Sequence, residues 1–260
     1  MMKKSNDHKY AFRHIRLFFM AAFFILCSSL VLTGSTSEAR KKSHIMIRNS
    51  SRGGNFTKIG ALKKYKVTAT NSNNTININK YYGSYTITSA STLGKTIFNI
   101  KYKLKGSKKW RKYQVRVNVT TRKKYAKYAF KRQNGYRKKH KRKKLIWSDA
   151  AYDFARFRLK TSGFDAHRNL QRDARLFFGN YYYTGHIMVG ENLIWSTITH
   201  GPLKVVRLWR GSERHRNNML RKEYKCGAMA LTKTTWCAIF FENSPKKLNK
   251  WYRTHKKTGT

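Results

Sequence analysis

The sequence predicts an α/β protein in two parts, a small all-β module over residues 62–121 followed by a region of mixed helices and strands. Three observations predict it. Phe98, Ile100, Tyr102 and Leu104 alternate with polar residues, as do Tyr113, Val115, Val117 and Val119, and each set places an apolar row on one face of a strand. From Arg122 the spacing becomes helical, with Tyr125, Tyr128, Ala129 and Tyr136 able to share a face. Two nearly unbroken apolar runs, Lys225 to Leu231 and Thr235 to Phe241, read as a hairpin of buried central strands.

Taken in order, residues 1–39 read as a signal peptide. Lys3, Lys4, Lys9, Arg13 and Arg16 precede an apolar run from Leu17 to Leu32, and Ser37-Glu38-Ala39 offers a cleavage site. An uncleaved anchor is the other reading, since the run is nearly long enough to span a bilayer. Either way the remainder is expected outside the cytoplasmic membrane. Residues 40–61, polar and glycine-containing, read as a linker. Within 62–121, shorter strands are expected at Tyr65 to Ala69, Thr75 to Ile78 and Ser84 to Thr88, separated by glycines. About five strands in so short a stretch suggest a small antiparallel sandwich or barrel, with an Ig-like form as one version.

Beyond the first helix, Ser148 is placed as N-cap of a second carrying Ala151, Phe154, Ala155 and Leu159. A third is expected over Arg168 to Phe178, and a fourth from Pro202, well suited to a first turn, through Val205, Val206 and Trp209. Met188 to Trp195 reads as a strand. The tail, residues 244–260, is basic and expected to be loose unless Leu248, Trp251 and Tyr252 hold it down.

Charge is the most unusual bulk property: 58 Lys and Arg against 10 Asp and Glu, a formal net charge of +48. No carboxylate side chain occurs between residues 40 and 148. Such a field draws a protein onto polyanions by counterion release whatever its fold. The densest run, Arg137, Lys138, Lys139, Lys141, Arg142, Lys143 and Lys144, is the expected polyanion-binding segment, with a solvated helix end as the plainer reading. Without the leader, two cysteines remain, Cys226 and Cys237, and a single disulfide is expected in an oxidising compartment. A turn at Thr232 to Thr235 would set Cys237 opposite Ala230, so that bridge needs a register shift.

Gly190-Glu191-Asn192-Leu193 resembles the GEN(L/I) box of the CAP superfamily (cysteine-rich secretory proteins, antigen 5 and pathogenesis-related 1; the SCP domain). Trp209 to Leu220 (WRGSERHRNNML) resembles the W-x-x-S-x-x-H-R-x-N-(I/M)-L stretch of its secreted bacterial members. Asn134-Gly135-Tyr136-Arg137, Leu145 to Ala151, Gly163 to His167 and the pair Cys226-Gly227-Ala228 and Trp236 to Phe240 fit the same template. The resemblance spans residues 123–243 and implies a three-layer α-β-α sandwich whose cleft gathers His167, Glu191 and His215, with Glu213 as the nearest second acid. Two imidazoles with carboxylates suit zinc or another divalent metal, or acid/base work. They also suit plain loop-tying hydrogen bonds. Tyr181, Tyr182, Tyr183 and Trp195 flank the box and suit the wall of a lipid or glycan groove.

The expected function is a secreted or wall-associated, non-enzymatic binding protein with affinity for anionic envelope polymers. The alternative is a metal-dependent extracellular hydrolase, a nuclease or peptidase, using the same cleft. No G-x-S-x-G elbow surrounds Ser212, which weighs against a serine hydrolase.

Overall fold

The computed structural model describes residues 40–56, 60–161, 167–179, 187–196 and 200–257. The expected signal peptide lies outside the described residues, and no helix among them is long and apolar enough to cross a membrane.

The described residues of the first part form seven strands: β1 (Arg40–Ile47), β2 (Arg52–Asn55), β3 (Leu62–Ala69), β4 (Asn74–Asn79), β5 (Ser84–Ala90), β6 (Gly94–Leu104) and β7 (Arg111–Thr120). They form a four-stranded sheet in the order β1-β7-β6-β3 and a three-stranded sheet in the order β2-β5-β4. The alternation read from the sequence sets which faces turn inward. Phe98, Ile100 and Tyr102 from β6 and Val115, Val117 and Val119 from β7 pack with Tyr85 and Ile87 from β5 in one core. Phe56 plugs that core, stacked on Tyr85 and edge-on to Tyr102.

The stretch 40–61, expected as a linker, instead supplies β1 and β2. β1 runs parallel to β7, from Arg40 opposite Tyr113 to Ile47 opposite Thr120. Its period-two pattern serves two cores. His44 and Met46 are buried, with Met46 in the β-module core, whereas Ile45 and Ile47 pack against the core of the second part. An apolar residue on each face is what a strand between two cores requires, and the polar flanks conceal it.

The second part contains α1 (Arg122–Lys139), β8 (Ile146–Trp147), α2 (Asp149–Thr161), α3 (Leu170–Phe178), β9 (Val189–Trp195), α4 (Pro202–Gly211), α5 (Glu213–Leu220), β10 (Cys226–Leu231), β11 (Thr235–Phe241) and α6 (Pro245–Lys257). The sheet order is β8-β10-β11-β9. Every residue of β10, and every residue of β11 after Thr235, is buried, so helices cover both faces and the result is a three-layer α-β-α arrangement. Thr121 caps α1 by accepting a hydrogen bond from the Lys124 N–H at 3.3 Å. Ser148 does the same for α2, from the Ala151 N–H at 3.2 Å. α5 was not foreseen as a separate helix.

Three further expectations change. The tail forms α6, fixed by fully buried Leu248 and by Tyr252, whose hydroxyl donates to Asp153 at 2.9 Å and whose ring stacks on Phe177. Cys226 and Cys237 are free thiols rather than a disulfide. The hairpin holds the register that separates them, with Cys226 opposite Phe241 and Cys237 opposite Ala230. Arg137, expected on the polyanion surface, is fully buried, while Lys138, Lys139, Lys141, Arg142, Lys143 and Lys144 are exposed. Its guanidinium donates to the carbonyls of Lys143 at 2.9 Å, Met219 at 2.6 Å and Arg221 at 3.0 Å, tying the end of α1 to the end of α5. Asn134 completes the tie by exchanging two hydrogen bonds with the Leu145 backbone.

Candidate functional site

β9 is the strand that carries the candidate site. At its start Gly190 has no freedom to be anything larger, because a Cβ would overlap the Tyr224 hydroxyl and crowd the Asn218 side chain. That hydroxyl donates to Asn218 Oδ1 at 2.7 Å. Asn218 Nδ2 in turn donates to the Glu191 carbonyl at 3.1 Å and to Asn192 Oδ1 at 2.8 Å. Asn192 Nδ2 closes the chain on the His215 carbonyl at 3.0 Å. The glycine and asparagine of the first motif and the second asparagine of the other therefore form one network that locks α5 against β9. Each partner satisfies a polar group that burial would otherwise leave costly.

Glu191 points its carboxylate inward. The side chain is fully buried and meets Arg158 of α2, which is itself 1% exposed. Arg158 Nε donates to Glu191 Oε1 at 2.9 Å and an Arg158 terminal nitrogen to Oε2 at 3.3 Å. The other terminal nitrogen donates to Asp173 of α3 at 2.5 Å and to the Arg168 carbonyl at 3.3 Å. Burial alone would lower the Arg158 pKa; the two carboxylates outweigh it and raise it, so the guanidinium stays charged. One buried cation between two buried carboxylates joins α2, α3 and β9.

His167 and His215 occupy the outer side of this group. His167 Nδ1 lies 3.0 Å from Glu191 Oε2, and its side chain is 56% exposed. Burial, and then the charge of nearby His167, lower the pKa of half-buried His215, favouring neutral imidazole. Glu213 is exposed in the first turn of α5, where a carboxylate complements the helix dipole. The structure thus brings His167, Glu191 and His215 together and leaves Glu213 on the surface.

No group of three His, Cys, Asp or Glu side chains positioned to hold a metal ion occurs among the described residues. Of these donors Glu191 is poorly suited to zinc or another divalent ion. Both oxygens of Glu191 accept from Arg158, and a metal there would stand beside a buried guanidinium. The thiols are equally unsuited to nucleophilic work: burial pushes Cys226 up to about 12, and burial, followed by the charge of Glu191, raises Cys237 well above the usual thiol range. Cys237 Sγ sits 3.7 Å from Glu191 Oε1 and Cys226 donates to the Asn243 carbonyl at 3.2 Å.

Arg158 and Asp173 were missed by sequence reasoning. The signal was available: Ala151, Phe154, Ala155 and Arg158 fall on one buried face of α2, and a cation in an apolar stripe requires a buried anion. Of the aromatic group expected beside the box, Tyr181, Tyr182 and Tyr183 lie outside the described residues, and Trp195 is exposed at the end of β9.

Residues 130–238 match the profile of the cysteine-rich secretory protein family (CAP). No curated protein matches the chain. Among solved structures the chain is similar to a cysteine-rich secretory protein from Staphylococcus aureus, at 16% identity and a TM-score of 0.40 over 56% of each chain. It is similar to an outer surface protein from Borrelia burgdorferi, at 18% identity and 0.37 over 47% of this chain and 95% of that one. An extracellular SCP-domain protein from Bacillus anthracis gives 15% and 0.35 over 66% and 57%. The chain thus spans little more than half the length of the Staphylococcus and Bacillus structures.

Proposed function

We propose that this chain, whose residues 130–238 form a domain of the cysteine-rich secretory protein family, is an extracellular binding protein without enzymatic turnover, held on anionic envelope polymers by its charge. The observation that carries this reading is the fate of Glu191. A catalytic carboxylate needs a lone pair that a proton, a water or a metal can reach. Here both oxygens accept from Arg158, Oε2 also faces His167 Nδ1 at 3.0 Å, and the side chain is fully buried, which supports a structural rather than a catalytic role for the His167, Glu191 and His215 group. The net charge of +48 supplies the affinity, and the exposed cations from Lys138 to Lys144 are its densest strip.

The experiment is a comparison of wild-type chain with a His167→Ala, His215→Ala double variant. Metal content is measured by mass spectrometry, and nuclease and peptidase turnover together with retention on an anionic polymer are assayed in parallel. Sub-stoichiometric metal, no turnover and equal retention are the expected results. Turnover or stoichiometric metal in the wild type that the double variant loses would favour the hydrolase reading instead.

A further inference from the structure

Two grooves flank α1 and meet at Gly135 and Lys131. One, of about 530 Å³, lies between α1 and α4 and is lined by Leu203 and Val206 together with Lys131, Arg132, Lys139, Arg207 and Arg210. The other, of about 440 Å³, lies on the opposite flank over Phe130, Leu145 and Trp147, with Lys127, Lys131, Lys138 and Lys144 around it. Among the described residues no carboxylate lines either groove. All eight cations are exposed, and none forms an ion pair among the described residues.

Gly135 has no packing reason to be glycine. It lies inside an 18-residue helix, where glycine is unfavourable, and a Cβ built on it would meet nothing within 4 Å. Gly135 lines both grooves and carries no side chain to stand between them, a saddle across α1 where the two adjoin. The aromatic rings beside the saddle already carry cations on their faces. Arg210 lies 4.5 Å from the Tyr136 ring centre, Arg132 5.0 Å from Tyr128, and Lys127 5.1 Å from Trp147. These rings hold cations in place rather than offering open stacking platforms, and single-stranded nucleic acid sites depend on open platforms. Guanidiniums fixed in this way are suited to paired hydrogen bonds with phosphate oxygens.

From this we infer that the saddle at Gly135 is a binding site for an extended, base-free phosphodiester polymer, a polyol phosphate chain that crosses α1 from one groove to the other. The inference rests on the proposed polyanion-binding role and gives it an address. Its test is binding of the full chain to poly(glycerol phosphate), with an oligothymidylate of equal phosphate number as the competing ligand. Gly135→Leu leaves the net charge untouched and projects into open space, so the variant folds; it is expected to bind at least tenfold more weakly. Gly135→Ala is expected to raise Tm by about 2–4 °C, as relief of a helix-interior glycine should. Lys131→Ala with Arg210→Ala should cost far more affinity than Lys63→Ala with Lys66→Ala, an equal charge change on the β module.

Gly135→Leu binding within twofold of wild type would remove the saddle while leaving charge-driven adhesion standing. Tighter binding of the oligothymidylate would overturn the ligand class. Absence of any binding by the wild type at low salt would overturn the polyanion role itself, and the saddle with it.

Discussion

Arg158 holds a full positive charge where a helix would ordinarily bury a leucine, and its removal tests what the motif residues are for. Arg158→Met takes the buried counter-charge from Glu191 and Asp173 and leaves them only the more exposed His167 and Arg172, a loss on the order of 3–5 kcal/mol by the behaviour of broken buried pairs. Arg158→Met combined with Glu191→Leu should recover part of that loss, because it removes the fully buried one of the two carboxylates left behind, while Asp173 keeps Arg172 at 3.3 Å. Urea denaturation of the two variants checks this, and equal stability of single and double variants would refute it. The thiols give a second test. Cys226 and Cys237 should stay unlabelled by an aromatic disulfide reagent in the native protein and react fully once unfolded, because burial holds both protonated. At this scale the sequence displayed His167, Glu191 and His215 through their motifs, but not Arg158. In a chain with 58 basic residues one more arginine draws no attention, and only its position on the apolar face of α2 marks it.

Elements were legible where periodicity was clean and hidden where one strand serves two surroundings. β6, β7, β10 and β11 declare themselves by alternation or by unbroken apolar runs, and α1, α2 and α4 by helical spacing with a cap or a first-turn proline. β1 escaped because Lys41, Lys42 and Ser43 are exposed at its start and only its last four residues turn toward the two cores. α6 escaped because its apolar anchors are few among lysines, although Leu248 alone is fully buried. The burial of β1 also makes the β module acid-sensitive. His44 is 8% exposed, its Nε2 lies 2.8 Å from the Tyr85 hydroxyl, and burial, then the charges of Arg52 and Lys42, hold its pKa down at about 4. The unfolded chain binds that proton near pH 6.5 and the folded chain only near 4, so stability is intact above pH 6.5 and falls as pH drops toward 4. His215 is shifted in the same direction and adds to the slope. The urea midpoint should therefore fall between pH 6.5 and 4, and a His44→Gln variant should show a shallower fall; identical slopes in the two proteins would exclude His44 as a source.

For the whole molecule, the charge distribution is legible from composition alone, whereas its structural consequence needs the fold. Residues 40–148, without a carboxylate, make up the entire β module, α1 and β8, so among the described residues their ion pairing comes down to Lys123 with Asp149 at 3.0 Å. The second part spends two of its acids, Glu191 and Asp173, on buried Arg158; only Asp173 also reaches an exposed cation, Arg172 at 3.3 Å, so the two screen little of the surface. Self-repulsion among exposed cations should then be a large unfavourable term in the folded state, larger than the gain from the few exposed ion pairs. Sodium chloride screens both, but it removes more repulsion than attraction here, because like-charged pairs outnumber opposite ones. Raising the salt from about 20 to 500 mM shortens the screening length from roughly 20 Å to about 4 Å. The urea midpoint is therefore expected to rise across that range, opposite to the response of a fold held by surface ion pairs. Retention on a phosphodiester polymer should fall across the same range as counterion release loses its driving force. A midpoint that fell with salt would mean that exposed pairs such as Arg221 with Glu242 outweigh the repulsion, and would locate the stabilising electrostatics on the surface rather than at Arg158.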